Sequence, residues 1–244
     1  MSSGKRLKFL STKPGDAVDF DDAQPNIIIH FYDPELKAPD AHGRTLDDIL
    51  EWADSALENS HNYIQMLFPL PEGSPFNYEA PIINREVMEA FHGRPELRAR
   101  LKESFVRILD FYGFELLEES THEAVTTSTL PRVPSILVVR APHWPKAFRN
   151  WAIRFDHNHL RITRILRCLR VLGLEMECEA YYSALKEVFN DPRIHINERS
   201  MLYWRKAVRG PLHIAPDGER IGWLRRWGEE QQSLASASHT ETTK

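Results

Sequence analysis

His61 and Gln65 are the first side chains whose types and spacing could support chemistry. At 100° per residue, Ile64 and Phe68 fall on the same helical face, so an imidazole and an amide interrupt an apolar stripe. Two interpretations follow: core hydrogen bonds satisfy both groups, which we favour, or both groups line a cavity with aromatic walls. If a cavity exists, His61 is the candidate acid or base, because imidazole titrates near neutrality.

A second polar interruption lies in the segment 156–166, which is predicted to form a cationic amphipathic helix. Asn158 falls on the apolar face of this helix, and an unpaired buried amide costs about 1–3 kcal/mol. This amide either caps the helix or ties it to a neighbour, or it anchors a ligand. Arg161 and Arg164 form a separate stripe. They either pair with surface acids or bind a carboxylate or phosphate through their planar guanidinium groups.

These interruptions define the predicted site of an organic ligand. The set comprises a candidate catalytic residue, His61, and the ligand-binding residues Gln65, Asn158, Arg161, Tyr63, Phe68 and Trp52. No metal site and no cofactor are predicted. His157 and His159 are two residues apart, so a helix points them to opposite sides, which is unsuitable for chelation. Asp47 and Asp48 are better explained as an acidic helix start, since carboxylates favour the positive end of the helix dipole.

The two segments His-Asn-Tyr-Ile-Gln-Met-Leu-Phe-Pro-Leu (61–70) and His-Asn-His-Leu-Arg-Ile-Thr-Arg-Ile-Leu (157–166) carry a family resemblance. Together with the blocks at 47–58 and 77–83, they resemble the conserved domain of the opioid growth factor receptors, from residue 31 to about residue 189. Met66 stands where that family usually has tryptophan. The resemblance implies an all-helical domain and brings no catalytic residue with it. We expect a stand-alone domain, without the repeats of the animal receptors.

Two functions from different classes are predicted. The first is a binding module that holds a small organic or peptide ligand in a helical pocket, as the receptor resemblance implies. The alternative is a metal-independent enzyme of small-molecule metabolism, such as a cyclase that folds an apolar substrate. A deep closed pocket favours the enzyme, and a shallow exposed apolar patch favours the binding module.

Composition narrows the partners and the compartment. The chain has 244 residues, 42% hydrophobic and 27% charged, with a net charge of −4. A nucleic-acid partner is not expected from this charge. No apolar run suits a signal peptide or a membrane span, so we expect an intracellular protein, cytoplasmic or nuclear. In such a compartment Cys168 and Cys178 are expected to be buried thiols rather than a disulfide.

The fold is predicted to be all-α, a single compact multi-helix domain at 27–228 between a flexible arm, 1–26, and a disordered tail, 229–244. Thr45 and Asp48 predict a capped helix start, followed by apolar residues at helical spacing as far as Leu57. Gly113 predicts a helix C-terminus. Further helices are predicted at 61–68, 84–91, 95–112, 146–154, 158–172, 177–190 and 197–208. A long loop rich in proline and threonine, 118–145, is expected to hold at most one short strand, at 136–139.

Overall fold

The computed structural model describes residues 26–73, 77, 80–118 and 136–241. Helices dominate this part of the chain, so the predicted helical fold class is confirmed. The elements in chain order are α1 (Ile27–Tyr32), α2 (Leu46–Leu50), α3 (Asp54–Asn59), α4 (Tyr63–Leu67), α5 (Arg85–Gly93), α6 (Pro95–Tyr112), β1 (Phe114–Glu118), β2 (Ile136–Arg140), α7 (Trp144–Ala147), a 3-10 turn (Phe148–Asn150), α8 (Asn158–Val171), α9 (Glu175–Phe189), α10 (Glu198–Arg209) and α11 (Gly222–Glu241).

Helix boundaries follow the capping residues that the sequence indicates. The Thr45 and Asp48 side chains form a reciprocal capping box at the start of α2, and the Asn84 side chain accepts from the Val87 amide at the start of α5. Gly113 ends α6 with φ of 84°. A Cβ atom there would also lie 2.8 Å from the Cβ of Ala147, so both conformation and close approach require glycine.

The predicted helix that begins at Thr45 is interrupted in the structure between α2 and α3. Arg107 of α6 binds the carbonyls that the interruption releases: its Nε lies 3.2 Å from the Leu50 oxygen, and its Nη2 lies 2.6 Å from the Trp52 oxygen. A tertiary contact therefore satisfies backbone groups that a continuous helix would satisfy internally. The helix predicted at 146–154 is also shorter, because a 3-10 turn follows α7.

The short strand predicted at 136–139 forms as β2, and it pairs with a second strand, β1, that the sequence interpretation did not include. β1 pairs with β2 in antiparallel register, from Phe114 opposite Arg140 to Glu118 opposite Ile136. Val138 is buried, and β2 packs against α9. The pairing is non-local, so the sequence pattern around Gly113 did not reveal it. The rest of the predicted loop, 119–135, lies outside the described residues.

The C-terminal helix reaches into the segment 229–244, for which the sequence predicts a disordered tail. Helix α11 runs from Gly222 to Glu241. Arg85 of α5 lies 2.9 Å from Glu230, and Arg225 lies 3.6 Å from Glu229 one turn further along α11. The Arg85–Glu230 contact joins the first half of α11 to α5, whereas the Arg225–Glu229 pair lies within α11 itself. The predicted N-terminal arm, apart from Asn26, lies outside the described residues.

Helix α8 is central to the core. It packs against α9 and α10, and Ile162, Ile165, Leu166 and Leu169 on its apolar face are fully buried. Cys168 and Cys178 are both free and buried, as expected. Burial raises the pKa of Cys178 to about 12, so this thiol stays protonated at neutral pH. Within the described residues, no helix has both the length and the apolarity required to cross a membrane.

Candidate functional site

Four arginines follow one another at three-residue spacing along α8: Arg161, Arg164, Arg167 and Arg170. The sequence offered surface ion pairing as one interpretation of the first two, and the structure does not support it. Within the described part of the chain, no carboxylate lies within 4.0 Å of Arg161 or Arg164. Their guanidinium groups instead reach backbone carbonyls on neighbouring helices.

Arg161 binds the turn between α3 and α4. Its Nη1 lies 3.1 Å from the Leu57 oxygen, and its Nη2 lies 2.7 Å from the Ser60 oxygen. Carbonyls at a helix C-terminus lack intrahelical partners and carry the negative end of the dipole, so a cation there stabilises the helix end. Arg170 does the same at the end of α10, where its Nη1 lies 2.6 Å from the Gly210 oxygen.

Asn158 belongs to a closed polar cluster in the core. Its Oδ1 accepts hydrogen bonds from the Tyr112 hydroxyl at 3.1 Å and from Arg161 Nη1 at 3.3 Å, and its Nδ2 donates to Glu58 Oε2 at 3.3 Å. Burial raises the pKa of Tyr112 well above its ordinary value, so the hydroxyl remains a donor. Asn158 thus ties α8 to α3 and α6, which is the structural role that the sequence offered as one alternative.

A cavity of about 480 Å³ opens between the two polar segments. One wall is the exposed side of α8, and another is α4 with the following segment 70–73. Apolar side chains cover much of the wall, with a small number of polar and charged groups among them. The lining residues include His61, Ile64, Gln65, Leu70, Glu72, Leu160, Arg161, Thr163, Arg164, Arg167 and Asp217.

The structure brings three of the predicted site residues to this cavity and places the other four elsewhere. His61, Gln65 and Arg161 line the cavity, whereas Asn158 lies in the closed cluster. The other three are aromatic and belong to the core or its edge: Tyr63, Phe68 and Trp52.

The predicted helical face containing His61, Ile64, Gln65 and Phe68 does not form, because α4 begins only at Tyr63. His61 therefore precedes the helix and lies exposed at the cavity rim. Its Nδ1 lies 3.1 Å from the Asn59 oxygen, and its ring centroid lies 5.7 Å from that of His157. Gln65 is buried, and its Oε1 accepts a hydrogen bond from Asn77.

His157 and His159 point to opposite sides of α8, as their spacing predicts. His157 is exposed beside Glu58, with 3.5 Å between its Nε2 and the Glu58 Oε1. His159 is buried, bonded to Ser200 at 2.8 Å and to the Trp151 oxygen at 2.9 Å. Burial lowers the pKa of His159. Among the residues that the structure describes, no group of three or more histidine, cysteine or acidic side chains is arranged to hold a metal ion.

A buried ion pair between Arg167 and Glu72 was missed by the sequence interpretation. Arg167 Nε lies 3.3 Å from Glu72 Oε1, and Arg167 Nη2 lies 2.7 Å from the Leu212 oxygen. Burial raises the pKa of Glu72, and the guanidinium opposes that shift. The pair fixes the segment after α4 against α8. The three-residue spacing of arginines in α8 was the available signal, but nothing local identified Glu72 as the partner.

Arg164 differs from the other three arginines. Among the residues that the structure describes, it makes a single hydrogen bond, from Nη1 to the Phe68 oxygen at 3.0 Å. A guanidinium group has five N–H donors, so most of its donor capacity remains available on the cavity side. Burial lowers the pKa of Arg164, but an arginine still keeps its charge at neutral pH. The sequence placed Arg164 in the cationic stripe without including it among the site residues.

The fold and this cavity define an α-helical domain built around an arginine-rich central helix. Residues 21–211 match the family model described as the opioid growth factor receptor (OGFr) conserved region. The chain belongs to this family, as the sequence resemblance implied. The matched range contains both polar segments and nearly all of the cavity wall.

Named relatives support the same assignment. The human opioid growth factor receptor is 38% identical over 154 residues, which cover 62% of this chain and 20% of that protein. The rat receptor is 39% identical over 137 residues, 55% of this chain and 21% of that protein. Mouse opioid growth factor receptor-like protein 1 is 33% identical over 119 residues, 49% and 22% of the two chains. The chain therefore matches about one fifth of the length of these relatives, and no solved structure matches it significantly.

Proposed function

We propose that this domain is a binding module that holds a small organic or peptide ligand in the cavity between α4 and α8. The observation that carries the proposal is the cavity itself. Its volume of about 480 Å³ lies within the range of about 300–1,000 Å³ that is typical of ligand pockets. Ile64, Leu70 and Leu160 give it apolar walls, and Gln65 and Arg164 supply a few polar groups, the composition that ligand pockets usually have.

The relatives agree with a binding role rather than a catalytic one. The rat and human relatives are named opioid growth factor receptors, and the matched region is a small part of each. The alternative of a metal-independent cyclase gains no support from the comparisons. His61, its predicted acid or base, lies exposed at the cavity rim with a backbone carbonyl as its hydrogen-bond partner.

Fluorescence titration with N-phenyl-1-naphthylamine, a neutral apolar dye, tests whether the cavity accepts an organic molecule. We expect saturable binding to the wild-type protein. Thr163→Trp should weaken this binding at least about tenfold, or about 1.4 kcal/mol, because Thr163 lies half-buried on the cavity wall and an indole there fills the space.

Ser233→Trp on α11 is the matched control. Thr163 and Ser233 both donate a hydroxyl hydrogen bond to the carbonyl four residues earlier, at 2.9 Å in each case, but Ser233 is exposed on α11. Binding should be unchanged in this variant. A lack of saturable binding to the wild-type protein, or equal binding to Thr163→Trp and Ser233→Trp, contradicts the proposal.

A further inference from the structure

We infer that the ligand of this cavity is an amphipathic monoanion, an apolar group joined to one carboxylate or similar oxyanion, and that Arg164 binds the anionic end. The inference rests on the proposed binding function and specifies its ligand class. Three features of the cavity carry it. The first is that Arg164 has unused hydrogen-bond donors. The second is that Arg161 and Arg167, the neighbouring cations, are already bound to carbonyls or to a carboxylate. The third is the apolar wall beside these arginines.

The cations on the cavity wall are not equivalent. Arg161 donates to the carbonyls of Leu57, Glu58 and Ser60 and to the Asn158 amide oxygen, so its two terminal nitrogens are occupied. Arg167 is neutralised by Glu72. Arg164 retains both its charge and most of its donors, so it is the guanidinium group on this wall that can bind an incoming anion.

The acidic groups on the wall do not compensate Arg164. The Glu72 carboxylate forms its ion pair with Arg167. The Asp217 carboxylate lies exposed at the rim, where its Oδ1 accepts a hydrogen bond from the Glu219 backbone N–H at 3.0 Å. Within the described residues, neither carboxylate lies within 4.0 Å of Arg164. A largely buried cation without a counter-ion is costly, and the lowered pKa of Arg164 has the same cause. A bound oxyanion would supply the missing partner in bidentate geometry.

The charge of one guanidinium group indicates a ligand with one negative charge. A dianionic phosphate would need a second uncompensated cation to offset its desolvation, and Arg161 and Arg167 are already engaged. Ile64, Leu70 and Leu160 line the same cavity, so an apolar group attached to the anion has a surface to cover. This arrangement favours a carboxylate with an apolar body over an alkyl phosphate or a neutral alcohol.

Displacement of bound N-phenyl-1-naphthylamine by three ten-carbon compounds tests the inference. Decanoate, decyl phosphate and decan-1-ol share an apolar chain and differ only in head group. We expect decanoate to displace the dye from the wild-type protein at a concentration about tenfold lower than decan-1-ol, as one charge-assisted guanidinium contact predicts. Decyl phosphate should not surpass decanoate. Equal displacement by decanoate and decan-1-ol overturns the inference, and stronger displacement by decyl phosphate overturns its monoanion part.

Arg164→Gln should abolish the preference for decanoate over decan-1-ol. Both compounds are compared within the same variant, so a change in its affinity for the dye affects the two displacements equally. Arg199→Gln is the matched control, because Arg199 lies on α10 at an adjoining cavity, stacked over Tyr203 at 5.7 Å, and should not affect the preference. Retention of the preference in Arg164→Gln overturns the assignment. The head-group comparison on the wild-type protein requires no variant, so it decides the inference even if Arg164→Gln does not fold. Absence of dye binding would instead contradict the binding function itself.

Discussion

Two neighbouring regions of α8 satisfy their polar groups in different ways. Around Asn158 and Arg161, the donors and acceptors of three helices and a turn bind one another in a closed cluster. Around Arg164, one turn later, one carbonyl of the described residues is bound and the remaining donors face a cavity. Both regions look alike in the sequence, as polar residues beside an apolar face. A polar residue of this kind has a structural role where other protein groups bind its donors and acceptors. It is a candidate for ligand binding where its donors face a cavity.

The Arg167–Glu72 pair lies next to Arg164 on the C-terminal side, and breaking it should give the largest effect. Arg167→Leu leaves the Glu72 carboxyl buried without its partner, which costs about 3–5 kcal/mol. Urea unfolding at neutral pH measures this loss. The double variant Arg167→Leu with Glu72→Leu should recover part of it, since no unpaired charge remains. If Arg167→Leu lowers the unfolding free energy by less than about 1 kcal/mol, which is typical of an exposed ion pair, the claim that this pair is buried is wrong.

Opening the closed cluster should have the next largest effect. Asn158→Leu removes the acceptor of the Tyr112 hydroxyl and of one Arg161 donor, which predicts a loss of about 2 kcal/mol in unfolding free energy. Asn150→Leu is the control, because Asn150 is exposed and should change stability by less than about 0.5 kcal/mol. Equal melting temperatures for the two variants would show that the cluster contributes nothing.

The same substitution at Arg161 and at Arg164 tests the comparison between the two regions directly. Arg161→Gln loses contacts to several carbonyls, whereas Arg164→Gln loses one, worth about 1 kcal/mol. Chemical unfolding should therefore show a clearly greater loss for Arg161→Gln. If Arg164→Gln is the more destabilising variant, Arg164 is a structural residue and the contrast between the two regions disappears.

The pH dependence of stability should reveal the buried carboxyl of Glu72. Burial raises its pKa in the folded state, so the folded protein holds this proton to a higher pH than the unfolded chain. The contribution of Glu72 to the free energy of unfolding is fully present below the pKa that this group has in the unfolded chain. It falls as the pH rises through the pKa that the group has in the folded protein. Relative to Glu72→Gln, the wild-type protein should lose stability as pH rises across this window. If the wild-type protein instead gains stability relative to Glu72→Gln as the pH rises, Arg167 lowers the pKa of Glu72 by more than burial raises it.

The smallest effect is expected at the cavity rim. His61→Ala should change the unfolding free energy by less than about 0.5 kcal/mol and leave the helical circular dichroism spectrum intact, because the imidazole is exposed. Loss of folding in this variant would assign His61 to the structural side of the comparison.

Sequence alone determined the family, the helical class and the positions where local chemistry fixes an element. The capping box of Thr45 and Asp48, the Asn84 cap and the left-handed Gly113 each act within a few residues, so a local pattern is sufficient to identify them. The arginine row of α8 was visible as a cationic stripe for the same reason.

Only the tertiary structure decided which of those polar groups are occupied. Arg107 binds carbonyls more than fifty residues away at the break before α3, β1 finds β2 across a long separation, and Arg161 reaches the end of another helix. These partners are remote in sequence, and the backbone groups concerned carry no side-chain signature. The sequence therefore placed Asn158 and Arg164 beside the same apolar face. The packing of the other helices enclosed Asn158 in a hydrogen-bonded cluster and left Arg164 on the wall of a cavity.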